Sequence, residues 1–446
     1  MVFFKKIRLI SWLTKAFLNK HGRLVMASFL IGIVGFFLIY KTLPYIPRPK
    51  RHVRVAKVGK YTVDDLPEEI LKLLSIGLTT ISDDGSATPG LAKSWDISDD
   101  GLTYTFILQD NLFWQDKTPL NADQVKYSFT DVEQEFLDSK SIRFKLKEPF
   151  SPFLTILSKP VFKKDFTGVG PYSIKRLEKS GNFVEQLTLS SKENDLTFRF
   201  YPTFEAVILG FKLGEIDEFE TLSLDTIDQE WRENLDVQSR IANDNFLAVF
   251  FNTSLPLFAD KSIRQALAYA IKDKPDGENL AVGTISPQSW AYNADVKLYP
   301  FSPDKAKELF KKEDSSDQKE KIKISTNASF LGLAEQIKKS WIETLDLEVE
   351  IELINALAPD FQVFLGVLQV PLDPDQYILW HSTREENITK FKSPKIDKLL
   401  EDGRKIVDQE QRKEKYFDFQ KFLAEECPAV FLSHPTIYQL NRKVLF

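Results

Sequence analysis

Leu91-Ala92-Lys93-Ser94-Trp95-Asp96-Ile97-Ser98-Asp99-Asp100-Gly101-Leu102-Thr103-Tyr104-Thr105-Phe106-Ile107-Leu108, continuing through Phe113-Trp114 to Thr118-Pro119-Leu120-Asn121-Ala122-Asp123-Gln124-Val125-Lys126-Tyr127, is the stretch on which the reading of this 446-residue chain turns. Two alternating segments flank Asp99-Asp100-Gly101, a pattern of strand, tight turn and strand. An aromatic pair follows. Asn121, with Gln124 three residues on, makes a capping-box pattern and predicts a helix running toward Tyr127.

Outward from that stretch, the length exceeds one ordinary core and implies two or three lobes. A hydrophobic fraction of 43% and a charged fraction of 28% are those of a folded globular protein. The 36 Phe, 13 Tyr and 7 Trp can fill a core or line a cleft. The single cysteine, Cys427, excludes an intramolecular disulfide and a cysteine metal cage, and is expected to be a half-buried structural thiol.

Charge is segregated along the chain. Residues 1–57 hold 12 basic groups and no acid; with −5 overall, residues 58–446 carry −17. An acidic body excludes nucleic acid as partner, because phosphate binding needs a basic surface. Residues 24–40, Leu24 to Tyr40, are uncharged, and seventeen helical residues span about 26 Å, close to a thin hydrocarbon core. Neither an Ala-x-Ala site nor a cysteine follows, so an uncleaved single-pass anchor is expected in place of a signal peptide or lipoprotein anchor. Six basic residues on each side leave the positive-inside rule undecided. Pro44, Pro47 and Pro49 predict a stiff stalk within residues 41–52.

In the soluble part, strands and helices mix without a regular βαβ rhythm, which predicts an α/β fold with discontinuous lobes. Asp408 with Gln411, Ser302-Pro303, Ser393-Pro394 and Asp260 mark helix starts. A helix over about 334–345 precedes an alternating strand, Leu347 to Leu353, and 312–321 reads as a solvated loop. Asp83-Asp84-Gly85 and Asp99-Asp100-Gly101 lack the ligand alternation of a calcium loop and read as hairpin turns. The histidines, His21, His52, His381 and His434, show no metal spacing.

Taken in order, the opening stretch, Gly168-Val169-Gly170-Pro171-Tyr172, Gly214-Glu215-Ile216-Asp217, Asn252-Thr253, Ile263-Arg264-Gln265-Ala266-Leu267, Trp290-Ala291-Tyr292, Tyr299-Pro300-Phe301-Ser302-Pro303, Asp373-Pro374-Asp375, Ser393-Pro394 and Arg412-x-x-x-Tyr416 resemble the family 5 extracellular solute-binding proteins, the oligopeptide and dipeptide receptors of ABC importers. The resemblance covers roughly residues 53–446. It implies a periplasmic-binding-protein-like fold (class II, type 2): two main lobes joined by two crossovers, with a small lobe inserted in the first; the uncharged segment 24–40 puts one transmembrane helix ahead of them. The expected organisation is a basic arm 1–23, anchor 24–40, stalk 41–52, main lobe I from 53–78, 168–255 and 428–446, small lobe 79–167 and main lobe II 256–427. The stretch between Phe129 and Pro149 is shorter than the family's.

In peptide-binding members the resemblance places an aspartate, which pairs with the peptide α-ammonium, where this chain has Val370. Valine packs but carries no charge. Asp373 is a candidate replacement; the alternative is that Asp373 and Asp375 only shape a proline turn. Trp290, Tyr292 and Trp380 are aromatic candidates for the cleft, with core packing as the other reading. Arg264 is expected to pair locally with Asp260.

The resemblance thus implies a membrane-tethered, extracytoplasmic monomer that binds a small solute, a peptide by class, and hands it to an ABC permease and ATPase. It implies no cofactor and no chemistry on the ligand. Two readings from other classes stand beside it: a sensor or partner-binding module on the same fold, and a surface hydrolase using Asp373 and Asp375 as acid and base. Carboxylates two residues apart around a proline rarely oppose each other across a substrate, which weighs against the hydrolase.

Overall fold

The computed structural model describes residues 2–42, 50–274, 279–311, 321–371 and 373–443. The expected proline stalk and most of the expected 312–321 loop lie outside them. The chain divides into two compact units, Met1–Arg51 and His52–Phe446. The first is one helix, Val2–Thr42, whose segment Asn19–Leu38 has a mean hydropathy of 1.7, no buried surface, and the length and composition to cross a membrane.

The described residues of the second unit form four sheets. In the seven-stranded sheet the order is Leu235–Ile241, Thr436–Arg442, Glu218–Thr221, Arg51–Val58, Asn194–Tyr201, Phe183–Ser190 and Ser173–Ser180. The five-stranded sheet runs Val349–Leu353, Ile322–Thr326, Val363–Gln369, Asn245–Phe251 and Ala429–Ser433. An antiparallel four-stranded sheet holds Ala92–Ile97, Thr103–Leu108, Ser141–Leu146 and Val132–Phe136, beside the hairpin Thr79–Ile81 and Ala87–Pro89.

Asn245–Phe251 shows why the larger core forms. The run Phe-Leu-Ala-Val-Phe-Phe is apolar at every position, as a strand covered on both faces must be. Period-two geometry sends Leu247, Val249 and Phe251 to a cluster with Leu267 and Trp341. Phe246, Ala248 and Phe250 go to the opposite cluster, with Trp380, Tyr416 and Phe419. Two chain crossovers join this sheet to the seven-stranded one: Ile241 to Asn245, and Ser433 to Thr436. They touch where the Ala242 N–H donates to the Pro435 carbonyl (2.9 Å) and His434 Nδ1 meets the Asn245 carbonyl (2.7 Å). The sheet changeovers therefore fall near residues 242–244 and 434–435, inside the divisions expected at 255 and 428.

The Ser-Asp-Asp-Gly turns repeat one geometry. Asp84 accepts from the Ser82 hydroxyl and the Ser86 N–H, and Asp100 accepts from the Ser98 hydroxyl and the Leu102 N–H. Gly85 (φ 83°) and Gly101 (φ 69°) supply the left-handed residue that each turn needs. In the Gly-x-Gly-Pro-Tyr motif the reason for glycine is close approach: a Cβ on Gly168 would lie 2.1 Å from the Leu74 carbonyl oxygen.

The helix expected from Asn121 toward Tyr127 is a single 3-10 turn, Ala122–Gln124. The capping reach is present, with the Asn121 N–H donating to Gln124 Oε1 at 3.1 Å. Gln134 stops propagation: its amide donates to the Val125 carbonyl (2.6 Å) and accepts from the Tyr127 N–H (3.4 Å). That holds Val125 extended, and the chain runs on into the Val132–Phe136 strand. Asp260, Ser393 and Asp408 each accept N–H bonds at their helix starts. Arg264 does not pair with Asp260, which caps the helix through Ser262 and Ile263. The guanidinium is buried and donates to the carbonyls of Phe258, Ala259, Glu426 and Cys427. Cys427 is fully buried, and burial pushes its thiol up to about 11.

Candidate functional site

The loop that starts at Val370 leaves the end of strand Val363–Gln369 and faces two cavities. Val370 is buried, and its N–H donates to the Asp244 carbonyl at 2.8 Å, which ties the loop to the first crossover. A cavity of about 270 Å³ opens there. Its walls are Asp83 from the first Ser-Asp-Asp-Gly turn, residues 240–244 of the crossover, the segment Ile285 to Ser289, and Val370, Pro371 and Pro374. Its charged groups, Asp83, Asp244 and Arg240, are all exposed, and Arg240 lies 3.6 Å from Glu220.

A second cavity, about 190 Å³, lies between the four-stranded sheet and the five-stranded lobe. Trp95 and Tyr104 face Trp290, Asp373 and Arg412 across it. Asp373 is buried and bidentate to Arg412, with Oδ2 3.0 Å from Nη1 and Oδ1 bonded to Nη2. The Thr155 hydroxyl (3.3 Å) and the Asp375 N–H (2.8 Å) also donate to this carboxylate. Arg412 further donates to the Gly403 carbonyl (3.0 Å) and the Tyr416 hydroxyl (3.0 Å), and lies over the Trp290 ring. Asp375 pairs with Arg404 Nε at 2.9 Å; burial nonetheless raises its pKa, and the nearby Asp373 adds to the rise.

Asp373 and Asp375 are thus both committed to arginines. Neither offers a free carboxylate to a ligand ammonium or to acid–base work. Hydrogen bonds around these pairs tie the small sheet to the five-stranded lobe. Alongside Thr155–Asp373, the Ser151 N–H donates to the Arg404 carbonyl (2.7 Å), and the Trp290 N–H donates to the Asp84 carbonyl (3.0 Å). Arg404 lies over both Tyr377 and Phe150.

Trp290 lines the second cavity, and Val370 lines the first. Tyr292 is half-buried against the same apolar cluster, and burial raises its phenol pKa. Trp380 is inside that cluster, its indole N–H donating to the Thr284 hydroxyl (3.0 Å), which donates to Gln376 Oε1 (2.7 Å). It packs in the same cluster as Ile285 and belongs to the lining of neither cavity. Sequence reasoning missed Asp244, Arg240, Arg404 and the role of Arg412. The i, i+4 spacing of Arg412 and Tyr416, which puts both on one helix face, is the one signal that was open to it.

The family model for bacterial extracellular solute-binding proteins, family 5, matches residues 86–389. The chain belongs to this family. A di/tripeptide-binding protein of Pseudomonas aeruginosa is 25% identical, with 80% of this chain and 83% of that protein covered. Among solved structures, a periplasmic binding protein from Helicobacter pylori in complex with the peptide STSA has a TM-score of 0.68 at 21% identity, covering 90% of this chain and 96% of that one. NikZ from Campylobacter jejuni, in complex with Ni(L-His), has a TM-score of 0.70 at 23% identity, covering 89% and 95%. The family 5 fold is therefore that of this chain, and the two complexes show that one fold carries chemically different solutes. Family 5 members are binding receptors, so the role of this chain is solute binding without catalysis.

Proposed function

We propose that this family 5 protein is a membrane-tethered extracytoplasmic receptor, monomeric, which takes a short peptide or similar solute into the cavity beside Val370 and, by closing its lobes, presents it to the permease of an ABC importer. The observation that carries the reading is the cavity's place: it sits where the first crossover, the Val370 loop and the Asp83 turn converge, so a solute there touches both sides of a hinge. Val370 gives an apolar wall; Trp290 and Tyr292 stiffen the adjoining segment. Asp373, held by Arg412, reaches the small lobe through the Thr155 hydroxyl, and Trp380 packs in the same apolar cluster as Val370 and Ile285. The helix Val2–Thr42 supplies the tether.

The ligand's α-amino group is not gripped by a buried carboxylate. Asp83 and Asp244 are solvated, and exposed ion pairs contribute only about 0–1 kcal/mol. Calorimetric titration of the full chain in lipid nanodiscs with pools of short peptides tests the reading. Saturable binding that Val370→Trp abolishes is expected; binding indifferent to that substitution would place the site elsewhere.

A further inference from the structure

Beside the edge strand Ala429–Ser433 of the five-stranded sheet lies a third cavity, about 320 Å³, lined by apolar groups from Leu280, Val282, Leu298, Tyr299, Phe301 and Phe431. That volume is within the range of small-molecule sites. Its lip is apolar too: Leu298 is 49% and Phe301 39% exposed. Three cations line it, Lys272, Lys274 and Lys297, and no carboxylate does so among the described residues.

The three lysines are not equivalent. Lys297 is paired with Glu425 at 2.9 Å. Lys272 is exposed. Lys274 is half-buried, and its ammonium donates to the carbonyls of Ala268 (2.5 Å) and Tyr299. An ammonium has three donors, so one remains beside the cavity. Among the described residues carbonyl dipoles solvate this charge and no carboxylate pairs with it, and burial lowers the Lys274 pKa to about 8. A half-buried cation that no described carboxylate neutralises, at the edge of an apolar chamber, has a specific complement: one negative charge on an apolar body. A phosphate dianion would bring a second charge into the same dry space.

We propose that this cavity is a binding site for a medium-chain alkyl carboxylate, its carboxylate on Lys274 with Lys272 at the entrance and its chain against Leu298, Phe301 and Phe431. The site is separate from the cavity beside Val370 and does not depend on what that cavity binds.

Calorimetry of the full chain in nanodiscs, with octanoate, 1-octanol and octyltrimethylammonium as probes, tests it. Octanoate should give one saturable site, with the alcohol and the cation at least about tenfold weaker, the worth of one charge-assisted hydrogen bond. Lys274→Met should weaken octanoate by about tenfold or more. Leu298→Asp changes only the exposed lip, so it keeps the test open if Lys274→Met does not fold, and it should cause a similar loss. Val370→Trp should leave octanoate binding intact. Equal binding of octanol, unchanged octanoate affinity in Lys274→Met and Leu298→Asp, loss of octanoate in Val370→Trp, or no saturable binding would each overturn the proposal.

Discussion

Asp373 and Arg412 form a bidentate ion pair, both side chains below one tenth exposed, at the point where the small inserted sheet meets the five-stranded lobe. The carboxylate also takes the Thr155 hydroxyl from the opposite side, so one buried anion holds two lobes. Removing one partner leaves the other's charge uncompensated. Asp373→Asn should cost about 3–5 kcal/mol by urea denaturation, and Asp373→Leu with Arg412→Leu should cost much less than the two single changes summed. Additive losses would show that the two residues act independently.

Stability should depend on pH through the crossovers. His434 is buried, and burial lowers its pKa, an effect that the Asn245 carbonyl only partly offsets. The folded chain therefore binds this proton less readily than the unfolded chain, whose histidine titrates near about 6.5. The stability associated with neutral His434 is full above that value and is lost as pH falls through it toward the lowered folded value. Melting temperature should fall with acidification from about pH 7 to 5, and less steeply in His434→Gln. Parallel slopes in the two proteins would remove His434 from the account.

Glycines at two positions should respond in opposite directions. Gly168→Ala would drive a methyl group into the Leu74 carbonyl and should cost about 1–3 kcal/mol. Gly332 lies in helix Leu331–Leu345, where an added methyl group would meet nothing within 4 Å, and Gly332→Ala should stabilise by up to about 1 kcal/mol. Chemical denaturation of both variants checks the pair.

Local features of this fold were legible because their causes are local. The caps at Asp260, Ser393 and Asp408 lie within three residues of the N–H groups they accept from, and the two Asp-Asp-Gly turns are closed by their own serines. The missing helix after Asn121 was not legible, since Gln134, ten residues beyond Gln124, decides it. The same limit governed the site. Asp373 finds Arg412 across 39 residues, and nothing near Asp373 in the sequence reveals that its carboxylate is already bonded. Val370 stood out by its missing charge, while the exposed acids that flank its cavity, Asp83 and Asp244, come from segments far away in the chain.

Ligand chemistry follows from those exposed acids. A free peptide and its N-acetylated form should bind within about fivefold of each other, because a solvated carboxylate adds at most about 1 kcal/mol. Competition calorimetry reads the ratio directly. A preference for the free amine of a hundredfold or so would require a buried anion, which is absent among the described residues that line the cavity.

Native mass spectrometry of the gently purified full chain tests the central claim most directly. A receptor should carry one small molecule in the cavity beside Val370, released unaltered on denaturation, and Val370→Trp should arrive empty. A chain that never carries a ligand, or that returns its ligand cleaved, would contradict the account.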